Sequence, residues 1–284
     1  MNGNKQTGLT HLHVYTFVIY RMERGTVACI LITACRSLRK IYSNSPHAFS
    51  VNFNHKSIKM EAHIQALRIN RNPLNLVLGT KRKLGLRIGY MEAALKGFYL
   101  NSIETGVHPQ KLTRLLSEEF HCVDTESTNG LLQFLTNEGD RVPYQIMLPY
   151  LLSSDNINEF ETIIHKRFFG VERFVRQGNN LYRFVKYTEE RRDPIIWIND
   201  LERGIDAWDM GILVNLARAA YEIGYITKGQ AWEHIEQAGI LCSEILRSPE
   251  EIDKSFLLGR AMQSEKIEDW DRLLSCYLLL DKHR

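Results

Sequence analysis

The sequence predicts an all-α fold, a compact multi-helix bundle preceded by an extraneous, poorly ordered N-terminal segment. Three observations support this prediction. From Leu84 onward, apolar residues recur at helical spacing, and the strict alternation of a half-buried strand is hard to find. Hydrophobic residues make up 44% of the 284 residues and charged residues 24%, which is enough for a large buried core. Glycines, prolines and capping residues separate the periodic segments.

The first 59 residues differ from the rest of the chain in charge. They contain eight Lys/Arg and one acid, a charge of +7, whereas the remaining residues carry −4. Their two apolar runs, 14–20 and 26–35, are far shorter than the roughly 20 residues of a membrane-spanning helix, so no transmembrane span is predicted. We interpret residues 1–59 as a non-native or disordered extension with Met60 as the natural start. An organellar transit peptide is the alternative.

Residues 60–193 form the predicted helical N-terminal region. Start and stop signals place its first four helices from about Leu84 to Ile103 with an end at Gly106, from Pro109 to Phe120, from a cap at Asp124 or Thr125 to Asn137 and Gly139, and from Pro143 onward.

Residues 157–177 are ambiguous between a helix and a strand. A β-hairpin turning at 178–180 is one interpretation. A helix is favoured, because its apolar residues step by three or four positions, and Gly178 would then be its C-terminal cap.

Residues 194–284 form the predicted C-terminal helical domain. Its helices are expected around 200–223 with a break at Gly224, from an N-cap at Thr227 to about Leu246, from Ser248-Pro249 onward, and near Ile267–Leu280.

Asp209 is the least expected residue of this domain, because the helical wheel places it among aliphatic side chains. A buried carboxylate needs a partner or a raised pKa. Arg260 is the predicted partner, and Gly259 beside it would let two helix backbones approach closely. Arg218 lies on another side of the same helix, where an exposed pair with Glu222 is expected.

Two interpretations of Asp209 remain open. It forms a structural clamp with Arg260, or the two residues form the floor of a polar cleft. The residues of the candidate polar cluster are Trp208, Asp209, Asn215, Arg218, Tyr225 and Arg260, with Tyr221 beside them.

Several short motifs of this domain resemble a known family. They are Ala207-Trp208-Asp209, Asn215-Leu216-Ala217-Arg218, Gly224-Tyr225-Ile226, Ala231-Trp232 and Leu258-Gly259-Arg260. Over about residues 170–280, the chain resembles the bacterial domain of unknown function 1266 (DUF1266). Pro249 and Ile212 stand where such proteins often have tryptophan and arginine. The resemblance implies a bacterial, cytoplasmic, helical domain and carries no established activity.

Catalytic and cofactor motifs are not found in the sequence. There is no phosphate-binding loop, no dinucleotide fingerprint, no nucleophile elbow and no histidine or cysteine spacing typical of a metal site, so neither cofactor nor metal is predicted. Five scattered cysteines without a C-x-x-C pair indicate a reducing compartment. We therefore favour a non-enzymatic domain that binds another protein. The alternative is an enzyme or small-ligand binder with its cleft at Asp209, Asn215, Arg218 and Arg260.

A basic segment raises a further hypothesis about partners. Residues 165–192 contain eight Lys/Arg and three acids, interleaved with aromatic residues. Such a pattern can bind nucleic acid through phosphate contacts and stacking. On amphipathic helices it more often marks a solvated face over a core, so nucleic acid is not the expected partner.

Overall fold

The computed structural model describes residues 15–23, 26–34, 67–74 and 77–283. The chain divides into two compact units, residues 1–51 and 52–284. In the first unit, β1 (Tyr15–Glu23) and β2 (Thr26–Ala34) pair as an antiparallel ribbon. The sequence predicted no regular element here; the β-branched threonines, valines and isoleucines of both segments favour strands. The expected start at Met60 lies outside the described residues.

The second unit confirms the predicted all-α class. Its helices are α1 (Thr80–Ile88), α2 (Tyr90–Lys96), α3 (Pro109–Glu119), α4 (Thr125–Asn137), α5 (Arg141–Ser153), α6 (Ile157–Arg167), α7 (Glu172–Glu189), α8 (Ile198–Arg203), α9 (Asp206–Glu222), α10 (Lys228–Ile245), α11 (Pro249–Ala261) and α12 (Ile267–Asp281). No helix among the described residues has both the length and the apolar character needed to cross a membrane.

Most helix starts are where the capping residues predicted them. The side chains of Asp124, Thr227 and Ser248 each accept a hydrogen bond from a backbone N–H in the first turn of α4, α10 and α11. Helix α3 begins at Pro109, as expected from a proline in the first turn. Helix α5 begins at Arg141, two residues before the predicted Pro143. Local sequence therefore determines these boundaries.

The predicted helix from Leu84 to Ile103 is wrong. The chain breaks at Gly89 between α1 and α2, and α2 ends at Gly97, whose φ of 75° is left-handed. The Gly89 carbonyl accepts a hydrogen bond of 2.9 Å from Asn215 Nδ2 of α9. A side chain on a distant helix thus binds the backbone at the break, and helical periodicity could not reveal it.

The helical interpretation of residues 157–177 is confirmed and the hairpin is wrong, but the segment is not one helix and Gly178 is not its end. Helix α6 stops at Arg167, the left-handed residues Phe169 and Gly170 follow, and α7 runs through Gly178. A Cβ at Gly178 would lie 3.3 Å from the Phe160 ring, so this glycine permits α6 and α7 to pack closely. Similarly, left-handed Gly204 divides the predicted helix 200–223 into α8 and α9.

Helix α9 is the centre of the bundle. Every residue from 207 to 220 is buried, and the helix contacts α1, α2, α3, α4, α10 and α11. Because it is enclosed on all sides, any polar side chain on it must find its hydrogen-bond partners inside the protein.

Replacing Gly259 by alanine is expected to lower the free energy of unfolding by about 2–3 kcal/mol, through overpacking. A Cβ at this position would lie 2.2 Å from Trp208 Cβ, so α9 and α11 would have to separate. Gly130→Ala is the matched control, because nothing lies within 4 Å of its added Cβ and alanine favours helix. Urea unfolding measures both variants; equal stability of Gly259→Ala and the parent would contradict the close approach.

Candidate functional site

Asp209 is fully buried and binds the start of a neighbouring helix. Its carboxylate accepts hydrogen bonds from the backbone N–H groups of Asp140 (2.9 Å) and Arg141 (3.0 Å). These are the first amides of α5, whose N-cap residue Asp140 makes no side-chain cap of its own. Asp209 therefore caps α5 from α9, and its carboxyl group lies at the positive end of that helix, which favours the ionised form.

Arg141 is the cationic partner of Asp209. Its Nη1 atom lies 3.1 Å from Asp209 Oδ2. The same guanidinium donates to the carbonyls of Leu135 (2.7 Å) and Thr136 (2.6 Å) in the last turn of α4. A cation at the C-terminal end of a helix satisfies its free carbonyls and opposes its dipole. The Asp209–Arg141 pair thus joins the end of α4, the start of α5 and the first turn of α9.

The turn between α4 and α5 depends on glycine at position 139. Gly139 has a φ of 63°, which disfavours residues with a side chain. A Cβ there would also lie 2.1 Å from Asp209 Oδ2. Only glycine leaves room for the carboxylate that caps α5.

The side chain of Asp140 gathers a second set of donors. Its oxygens accept hydrogen bonds from Trp208 Nε1 (3.1 Å), Gln263 Nε2 (2.9 Å), Gln177 Nε2 (3.2 Å) and Arg173 Nη2 (2.7 Å). These donors come from α7, α9 and the residues after α11. Asp140 and Asp209 together therefore form one polar hub that connects five segments.

Arg260 does not contact Asp209, so the predicted ion pair is wrong. Its guanidinium lies over the Trp208 ring, 5.8 Å from the centroid. No residue in the described part of the chain forms an ion pair or hydrogen bond with it. The buried carboxyl of Glu92 is near: burial raises the pKa of Glu92, and the charge of Arg260 is the largest influence opposing that rise. Trp208 also fills the space beside Gly259, where an added Cβ would lie 2.2 Å from Trp208 Cβ.

Arg218 is buried, although the sequence predicted an exposed pair with Glu222. It donates to the backbone carbonyls of Glu104 (3.0 Å), Ile103 (3.4 Å) and Tyr99, and to Asn215 Oδ1 (2.8 Å). Burial lowers the pKa of Arg218 to about 10, and Glu222 partly opposes this. The hydrogen-bonding groups of Asn215 are also satisfied: its Nδ2 donates to the carbonyls of Gly89 and Gly211, and its Oδ1 accepts from Arg218. This second cluster holds the loop between α2 and α3 against α9.

The structure therefore divides the predicted cluster instead of gathering it into one cleft. Trp208 and Asp209 belong to the hub, Asn215 and Arg218 belong to the loop cluster, and Arg260 lies over the Trp208 ring. Tyr225 is elsewhere, where its carbonyl accepts from Thr125 Oγ1 at 2.8 Å. Two surface cavities, of about 260 and 250 Å³, are lined by other residues, Lys96 and Phe98 among the first set and Arg71 and Tyr90 among the second.

Sequence reasoning missed Asp140 and Arg141. The signal was present: Asp140 and Arg141 directly follow the left-handed Gly139, in the position of a helix start. What the sequence did not reveal was that the carboxylate of a distant helix would replace the local cap. Within the described residues, no three His, Cys, Asp or Glu side chains are arranged to hold a metal ion.

Stability is expected to fall as the pH rises from about 4 to about 7. Burial raises the pKa of Asp209 from 3.8 to about 7, against the opposing effect of the Asp140 and Arg141 amides. Between pH values of about 4 and about 7, the Asp209 carboxyl is ionised in the unfolded chain but protonated in the folded protein. Rising pH therefore favours unfolding. Urea unfolding at about pH 4.5 and about pH 7.5 would compare the parent with Asp209→Asn, which does not titrate. Parallel profiles for the two proteins would contradict the assignment.

The fold and the hub define a class: an all-helical domain whose buried polar side chains serve to join helices. Residues 115–284 match the family described as Protein of unknown function (DUF1266), and the chain belongs to that family. The match extends further toward the N-terminus than the resemblance at residues 170–280, and it includes Asp140 and Arg141. No curated protein and no solved structure matches the chain.

Proposed function

We propose that this protein is a non-enzymatic domain that binds another protein. One observation carries the proposal: the polar groups that could have lined a catalytic cleft are used inside the fold. The carboxylate of Asp209 accepts three hydrogen bonds, and the guanidinium of Arg218 donates four. A catalytic group needs to reach a substrate, whereas these groups are held by helix ends and loop carbonyls.

The surface supports the same proposal. Large apolar side chains are exposed at several separate places, including Trp197 (58% exposed), Val123 (62%) and Phe169 (63%). Aromatic residues are enriched in protein interfaces, because they bury a large area with few rotatable bonds. From the family resemblance, we further propose that the protein acts in the bacterial cytoplasm.

A small-ligand site or an enzyme is the second candidate, and one observation favours it. Arg260 is half-buried without an ion-pair partner among the described residues, and its charge lowers the raised pKa of Glu92, whose buried Oε2 accepts no hydrogen bond there. An arginine and an unsatisfied carboxylate could orient a polar ligand. The other members of the predicted cleft are not available to such a ligand, which is why this candidate comes second.

Photo-crosslinking in the source cells tests the proposal. Benzoylphenylalanine would replace Trp197, Val123 or Phe169 in the full chain, and mass spectrometry would identify the adducts. The control position is Gln110, which is exposed and polar. We expect protein adducts from at least one apolar position at about tenfold the control yield, as for a specific interface.

Native mass spectrometry separates the two candidates. Protein purified from the source cells is compared with Arg260→Ala. A bound small molecule that is present in the parent and lost in the variant would overturn the proposal in favour of a ligand site. Apolar positions that crosslink no better than Gln110 would also overturn it.

A further inference from the structure

The turn between α6 and α7 presents an aromatic ring to solvent. Phe168 is buried, whereas the ring of Phe169 is 63% exposed and Val171 beside it is 47% exposed. Phe169 has a φ of 53°, which is left-handed and uncommon for a bulky residue. The backbone closes α6 through a hydrogen bond of 2.8 Å from Gly170 N–H to the His165 carbonyl.

The left-handed backbone at position 169 is energetically unfavourable for phenylalanine. Glycine or asparagine adopts left-handed backbone more readily, and a bulky residue there costs about 1–2 kcal/mol. The exposed ring also gains little from burial in the core. Because neither local conformation nor packing favours Phe169, a role outside the fold is the remaining physical reason for a ring at this position.

Exposed cations surround this turn on both helices. Lys166 and Arg167 lie in the last turn of α6, and Arg173 and Arg176 lie in the first turns of α7. Glu172 is the only acid from 165 to 176, so this stretch carries +3. We define the basic turn surface as Lys166, Arg167, Phe169, Val171, Arg173 and Arg176.

Two of the four cations of this surface interact with other residues of the protein, and two do not form an ion pair among the described residues. Arg173 pairs with Asp140 at 2.7 Å, and Arg167 lies over the Tyr150 ring. Lys166 and Arg176 have no ion-pair partner within the described ranges. Two free cations beside an exposed ring leave unmatched positive charge around an apolar centre.

We propose that the basic turn surface docks an acidic segment of another protein, which receives the Phe169 ring in an apolar pocket and pairs its carboxylates with Lys166 and Arg176. The inference rests on the proposed function and names the chemistry of the partner. An apolar centre with a charged rim is the usual anatomy of a protein interface. Of the two cations without an ion-pair partner among the described residues, Arg176 is an arginine, which binds carboxylates through two parallel hydrogen bonds.

Nucleic acid and lipid fit the same surface less well. Stacking of bases needs several accessible rings, but Phe168, Tyr182, Phe184 and Tyr187 of the basic segment are buried and Phe174 is partly buried, which leaves Phe169 as its exposed ring. Stable membrane attachment needs a larger apolar face than two side chains supply. The remaining positive charge is therefore best matched by carboxylates on a protein.

Crosslinking from Phe169 tests the inference when it is combined with charge reversal. Benzoylphenylalanine at position 169 is introduced into the full chain and into a Lys166→Glu/Arg176→Glu background. Lys81→Glu/Lys83→Glu on α1 is the matched control, because it makes the same change of charge at two other exposed cations that have no ion-pair partner among the described residues. Thermal unfolding followed by circular dichroism verifies that all variants fold alike.

We expect an adduct on an acidic protein segment, with about a tenfold lower yield in the Lys166/Arg176 background and an unchanged yield in the control. An adduct on lipid, nucleic acid or a neutral or basic protein segment would overturn the inference. So would the absence of an adduct, or equal losses in both charge-reversed backgrounds. A protein adduct at Trp197 with none at Phe169 would leave the proposed function standing and remove only this surface.

Discussion

Replacing Asp209 by alanine is expected to lower the free energy of unfolding by about 3–5 kcal/mol, the usual effect of removing one partner of a buried ion pair. The variant leaves the backbone amides of Asp140 and Arg141 without their acceptor, and it removes the anionic partner of the Arg141 guanidinium, which keeps its carbonyl acceptors in α4. It also removes side-chain volume from a fully buried position. For a domain of this size, the melting temperature should fall by roughly 10 °C.

Asp206→Ala is the matched control for this prediction. Asp206 lies in the same first turn of α9 and carries the same charge, but its carboxylate is 3.8 Å from Arg141 Nε and partly exposed. Its removal should lower stability by about 1 kcal/mol or less. Equal losses in the two variants would mean that general electrostatics, and not the cap on α5, explains the effect of Asp209.

Replacing Arg218 by alanine is expected to lower the free energy of unfolding by about 3 kcal/mol, because buried carbonyls lose their donor. The acceptors are the carbonyls of Tyr99, Ile103 and Glu104 in the loop between α2 and α3. The substitution should therefore destabilise this loop in particular, in addition to lowering the stability of the whole protein. Hydrogen exchange at the backbone amides of Tyr99 and Leu100, which are hydrogen-bonded in the parent, should accelerate most.

Arg114→Ala controls for the loss of an arginine. Arg114 is exposed and pairs with Glu118 at 3.7 Å, so its removal should change stability by less than about 0.5 kcal/mol. Arg218→Lys keeps a charge at the buried position but cannot reach four acceptors. If the lysine variant were as stable as the parent, the fork of hydrogen bonds would not be the reason for an arginine there.

The two clusters show why a polar residue on a buried helix is weak evidence for a catalytic site. Helix α9 places Asp209 and Asn215 nearly two turns apart, and their side chains bind different backbone breaks, at the start of α5 and at Gly89. Breaks between helices leave N–H and C=O groups without partners. Side chains of the central helix satisfy them, which joins the outer helices to the core. Polar residues at such positions stabilise the fold, whether or not a ligand binds.

Local features were predictable because they depend on nearby residues. The caps at Asp124, Thr227 and Ser248 and the stop at Gly224 follow from hydrogen bonds and backbone conformations that span three or four residues. The burial of Asp209 followed from the aliphatic residues on its side of the helix. The identity of its partner could not be predicted in the same way. Arg260 and Arg141 both lie on other helices, and no local sequence pattern relates either of them to Asp209.

The sequence by itself determined the all-α class of the body, most helix starts and the presence of a carboxylate in the core. Only the tertiary structure decided that Arg141 is the partner of this carboxylate, that Arg218 is buried, and that the helix predicted from Leu84 breaks at Gly89. The physical reason is the range of the interactions. Periodicity and capping act within one helix, whereas hydrogen bonds between helices depend on how the helices pack.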